Sequence, residues 1–113
     1  MAKINTLITA PPYPVDQALK RLGANLRTAR LRRNLTIEEV AAKIGTGPKP
    51  VSDAEKGKAS TGAAVYMALL WAYDLLRPME AVADPAADRV GIAMSAPRER
   101  ARTRSPQELD SDF

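Results

Sequence analysis

A chain of 113 residues is the size of one domain, and a hydrophobic fraction of 45% with a single Phe and a single Trp implies a small core of Leu, Ile, Val and Ala, which favours an all-α fold. Cys and His are both absent, which removes thiolate nucleophiles, disulfides, histidine acid–base catalysis and the usual zinc sites, so no enzyme, metal, cofactor or small-molecule substrate is expected. Lys+Arg 17 against Asp+Glu 13 leaves a formal charge of +4, compatible with a polyanionic partner, while the lack of a secretory leader or an apolar run of about twenty residues predicts a cytoplasmic protein with no membrane partner.

In chain order, INTLIT (residues 4–9) is rich in β-branched residues and is followed by Ala-Pro-Pro-Tyr-Pro, where the prolines favour an extended connector. Residues 1–15 are therefore predicted to form an extended N-terminal arm. Two readings stay open for it: a disordered lead, or a strand paired with a second chain, since a lone strand is not stable by itself.

Asp16 is the expected cap of a long helix over about Gln17 to Arg33, with Leu19, Leu22, Leu26 and Ala29 as its inner stripe and Lys20, Arg21, Arg27, Arg32 and Arg33 on the remaining surface. That basic side is either a solvated face or one lying near phosphates. Arg30 stands at the inner edge, where a partly buried charge needs a partner, and the expected partner is Glu55.

Leu35 to Gly57 is the stretch around which the chain is organised. Thr36 and Glu39 have the spacing of a capping box, Ile37, Val40, Ala41 and Ile44 share one helical face, and Gly45 is a left-handed stop, so a short helix is predicted over Ile37 to Ile44. Thr46 and Gly47 make a tight turn, and Pro48 is acceptable at a first helical position because the N–H it lacks would have had no partner. A second helix follows to Lys56, directed inward by Val51 and Ala54 and closed by Gly57. Small Ala41 leaves room for the second helix to cross close to the first, and the whole is the pattern of a helix-turn-helix whose second helix can enter a DNA major groove.

Beyond Lys58-Ala-Ser60-Thr61, a helix over Gly62 to Leu76 is apolar on more than one side, which suggests a subunit interface. Asp84-Pro-Ala-Ala-Asp88 reads as the start of a last helix running to roughly Met94 and docking on the body or on a partner. The surface proposed for a dimer or partner comprises Val65, Leu69, Trp71, Tyr73, Val90, Ile92 and Met94. From Ala96 four Arg fall within seven residues, acids follow, and almost nothing apolar remains, so 96–113 is predicted to be a disordered tail, either solubilising or touching nucleic acid or an acidic surface. The body between arm and tail, 16–95, is expected to bind DNA and to dimerise.

LGANLRTARLRRNLTIEEVAAKIG, AEKGKAS and YMALLWAYDLLRPMEAVADPAADRVGIAM together resemble the Xre-type (Cro-like) helix-turn-helix proteins, in particular the HipB-type antitoxins encoded beside HipA-type kinase toxins. The resemblance spans about Leu22 to Met94. It implies a compact lambda-repressor-like bundle of about five helices, a homodimer, binding to palindromic double-stranded operator DNA that represses its own operon, and a complex that holds the kinase inactive. Carried over residue by residue, Thr46, Lys49, Ser52 and Asp53 face the groove. Lys49 is placed to donate to guanine O6 and N7 and Asp53 to accept from cytosine N4, each contact worth roughly 1–3 kcal/mol of discrimination. Thr36, Arg32, Arg33, Lys56 and Lys58 are the corresponding candidates for phosphate contacts.

The chain departs from that family at Ile37, where a polar residue such as Gln is usual, at Asp53, where Arg is frequent, and in its prolines Pro48 and Pro50. Ile37 forfeits a phosphate donor and Asp53 directs negative charge toward a polyanion. Two alternatives follow: a helix-turn-helix fold kept mainly as a protein-binding subunit, and a stand-alone repressor.

Overall fold

The computed structural model describes residues 5–102, with side chains placed through Ser95. Among the described residues there are six α-helices, one 3-10 turn and no strand: α1 (Thr6–Thr9), α2 (Tyr13–Arg32), α3 (Ile37–Ile44), α4 (Pro48–Glu55), α5 (Ala63–Ala72), the 3-10 turn (Arg77–Ala81) and α6 (Arg89–Arg102). No helix among them is long and apolar enough to cross a membrane. The chain divides between Arg77 and Pro78 into two compact units.

In the first unit α4 packs against α2, α3 and α5, and α3 also packs against α5. Leu26 and Ala29 of α2, Val40 and Ala41 of α3, Val51 and Ala54 of α4, and Tyr66, Leu69 and Leu70 of α5 form the core together with Tyr73. Removing these side chains from water is the main favourable term holding the four helices together.

Helices α2 to α5 all end in the same way. A residue with positive φ follows the last turn, at Asn34 (55°), Gly45 (84°), Gly57 (68°) and Asp74 (60°). In each case two amide groups fold back on the helix: Asn34 N–H to Leu31 and Leu35 N–H to Arg30; Gly45 to Ala42 and Thr46 to Ala41; Gly57 to Ala54 and Lys58 to Asp53; Asp74 to Trp71 and Leu75 to Leu70. This is the Schellman closure, which satisfies carbonyls that a helix end otherwise leaves bare.

Several boundaries differ from those expected. The arm is not extended over residues 6–9: the Asn5 carboxamide accepts from Ile8 N–H at 3.3 Å and Thr6–Thr9 closes into one helical turn, because a strand without a neighbour has no ladder to join. Ile4 lies outside the described residues. Helix α2 starts at Tyr13 rather than after Asp16, since Pro14 occupies the second helical position, where a missing N–H breaks no bond. Asp16 lies in the first turn and pairs with Lys20 at 2.9 Å. Helix α5 stops at Ala72, short of Leu76, because Asp74 takes the left-handed position usually given to glycine.

In the second unit Asp84-Pro-Ala-Ala does not begin a helix. Asp84 Oδ1 accepts from Ala86 N–H at 2.9 Å in a local turn, and Asp88 provides the cap instead, its Oδ1 accepting from Gly91 N–H at 3.0 Å. Helix α6 then continues to Arg102, beyond Ala96, where the tail was expected to begin. The remainder of that tail, 103–113, lies outside the described residues.

Candidate nucleic-acid interface

The geometry of the helix pair follows from three local devices. The Thr36 hydroxyl accepts from Glu39 N–H at 3.0 Å while Glu39 Oε1 accepts from Thr36 N–H at 2.9 Å, a complete capping box that fixes where α3 begins. The bond from the Thr36 backbone amide, followed by that from its side chain, holds the Glu39 carboxyl below its ordinary range. Gly45 ends α3, and Gly47 and Pro48 start α4 at once.

Helix α4 turns Val51 and Ala54 into the core, each fully buried. That leaves Lys49, Ser52, Asp53 and Lys56, at spacings of three and four, along one outer stripe. Lys49 and Lys56 are exposed, and Ser52, Asp53 and Thr46 half-buried. Thr36, Arg32 and Lys58, proposed as phosphate contacts, are exposed as well.

The charged residues along and just beyond this stripe are not independent. Lys49 Nζ donates to Asp53 Oδ2 at 3.1 Å, and Lys58 Nζ stands 3.1 Å from Asp53 Oδ1. Hydrogen bonds from Lys49 and then Lys58 hold the Asp53 carboxyl below its ordinary range.

Arg30 and Glu55 meet behind α4. Arg30 Nε and Nη2 donate to Glu55 Oε2 and Oε1 at 2.6 and 3.0 Å, Nη1 donates to the Leu35 carbonyl at 2.9 Å, and the two side chains are 10% and 6% exposed. The hydrogen bond to Glu55 is the largest of the effects that raise the Arg30 pKa. The pair ties the last turn of α2 to the end of α4.

One expectation about side-chain placement is corrected. Leu69 and Tyr73 are 0% and 1% exposed and cannot line a partner surface, because with Tyr66 and Leu70 they form the buried stripe of α5 and its C-cap. Trp71, Val90, Ile92 and Met94 are exposed and Val65 is half-buried. Arg33 is exposed but has structural partners as well: its Nη1 donates to the Ala29 carbonyl at 3.0 Å, its Nη2 to the Tyr73 carbonyl at 2.9 Å, and its guanidinium lies 5.5 Å from the centre of the Tyr73 ring. Lys43 Nζ reaches the Ala72 carbonyl at 3.4 Å, so two cations sit at the negative end of α5.

Gly23 escaped the sequence reading. A Cβ there would stand 2.5 Å from the Ala54 carbonyl oxygen, so its absence is what lets α2 and α4 touch along their backbones. A glycine placed within the apolar stripe of a helix, where it weakens the helix by about 1 kcal/mol, was the available signal.

Two short helices joined by a tight turn, the second buried on one side and polar on the other, define the helix-turn-helix class, a fold of DNA-binding regulators. The chain belongs to the helix-turn-helix domain family, whose model matches residues 21–82, more than half its length. Neither curated proteins nor solved structures gave a match.

Proposed function

We propose that the chain is a sequence-specific double-stranded DNA-binding regulator that acts as a homodimer, represses its own operon, and serves as the antitoxin of a HipA-type kinase. The observation that carries the DNA half is the outer stripe of α4: Lys49, Ser52, Asp53 and Lys56 face away from a helix whose opposite side is locked in the core. Such a helix can lie in a major groove with its polar residues at base edges, while Thr36, Arg32 and Lys58 meet phosphates. The partner half is supported by the sequence resemblance over residues 66–94 and by the exposure of Trp71, Val90, Ile92 and Met94, apolar side chains that a protein partner would cover.

The DNA reading is tested with a duplex from the chain's own promoter. Binding is expected to weaken steeply with salt, by close to one power of salt concentration per phosphate contacted, and Lys49→Ala to relax the preference at one base position. A promoter duplex left unshifted at low salt refutes it. That outcome would favour the reading of the fold as a protein-binding subunit, which the negative charge of Asp53 on the outer stripe supports.

The antitoxin reading predicts that co-expression protects cells from a HipA-type kinase encoded beside this gene. Equal growth arrest with and without the chain would remove that role and leave a stand-alone repressor.

A further inference from the structure

We propose that Asp53 is a selectivity gate, an internal anion that occupies Lys49 and Lys58 and releases them only to a duplex offering an amino group to its carboxylate. This rests on the DNA-binding reading above and adds to it a way of rejecting DNA of the wrong sequence. Each Asp53 oxygen takes a different lysine, both at 3.1 Å. The lysines come from opposite ends of α4: Lys49 lies one turn before Asp53, and Lys58 follows the helix, where its own backbone amide donates to the Asp53 carbonyl at 3.1 Å. Asp53 thus holds Lys58 by main chain and side chain together. The side chain of Lys49 is 78% exposed and that of Lys58 46%, within reach of an approaching phosphate, whereas that of Asp53 is 19% exposed between them.

On a duplex of arbitrary sequence the two ammonium groups could reach phosphates only by stranding a carboxylate against a polyanion, so they stay on Asp53. The repulsion offsets what the phosphate contacts contribute, so sequence-independent binding is held down. A duplex with cytosine N4 or adenine N6 at that point of the major groove gives Asp53 a donor in place of the lysines. Both lysines then act at no electrostatic cost. The same carboxylate therefore penalises random DNA and spares the cognate site, the repulsive element that specificity commonly needs.

The test titrates the full chain, Asp53→Asn and Asp53→Ser against the promoter duplex and a scrambled duplex of equal length between 50 and 200 mM salt. Both variants should bind the scrambled duplex more tightly than the unaltered chain at low salt. They should lose about tenfold more of that affinity over this range, since two released lysines each add about 0.9 to the salt slope. The promoter-to-scrambled ratio should shrink. Agreement between Asn and Ser excludes a new amide contact, melting curves on the same samples exclude unfolding, and Lys58→Gln, which keeps Asp53, should weaken the scrambled duplex instead. If the unaltered chain binds its promoter and the Asp53 variants leave scrambled affinity and salt slope unchanged, or weaken both duplexes equally, the gate is refuted while DNA binding stands. If neither the unaltered chain nor any variant shifts either duplex, both fall together.

Discussion

Glu55→Ala is expected to lower stability by about 3–5 kcal/mol, the usual cost of removing one member of a buried ion pair. Arg30 would keep its bond to the Leu35 carbonyl but lose both bonds to Glu55, leaving a guanidinium of which only 10% of the side chain is exposed without an anion. An arginine cannot escape by giving up its proton, so the strain has to appear as unfolding. Thermal melting should show a fall of roughly 12 °C or more, since 1 kcal/mol corresponds to about 4–8 °C for a domain of this size. Replacing both partners with Met should recover much of the loss, because the penalty comes from the stranded charge. A melting temperature unchanged by Glu55→Ala would mean that Arg30 does not depend on its partner.

Gly23→Val is the second large effect, and it acts through shape. The new Cβ would meet the carbonyl oxygens of Ala54 and Glu55 at 2.5 and 2.6 Å, and both are backbone atoms that cannot rotate aside. The helices must separate, which should cost about 3 kcal/mol, at the upper end of overpacking penalties. Urea unfolding measures it. Because α4 is the element displaced, promoter affinity should fall in the same variant even where it remains folded. A variant as stable as the unaltered chain would refute the close approach of α2 and α4.

What was legible in the sequence was what is decided locally. Thr36 with Glu39, Gly45, and Pro48 after Gly47 each carry a start or stop signal within four residues, and the two central helices have the ends those signals imply. The pairing of Arg30 with Glu55 followed from a charge on an inner edge, a question of accounting more than of pattern. Pro14 reads in the sequence as a breaker, but at the second helical position it is an initiator, so α2 starts earlier than the proline run suggests. The end of α5 was missed because Asp74, unlike glycine, does not announce a left-handed turn. Leu69 and Tyr73 were placed outside because a helix apolar on all sides gives periodicity nothing to distinguish, so only its neighbours decide which stripe is inner. The bond from Arg33 to the Tyr73 carbonyl spans forty residues and no spacing rule encodes it, whereas Lys49 and Asp53 stand four apart on one helix, a spacing that already announces their pairing.

The left-handed closures at Asn34, Gly45, Gly57 and Asp74 are made by main-chain bonds. The corners that aim α4 thus rest on main-chain bonds, and its seat on the core rests on Val51 and Ala54, more than on the outer side chains Lys49, Ser52, Asp53 and Lys56. On the proposed reading, architecture and recognition are written in separate residues. Substitutions along that stripe can redirect the protein to another target while the scaffold beneath stays as it is, so divergence of binding preference should run well ahead of divergence in shape.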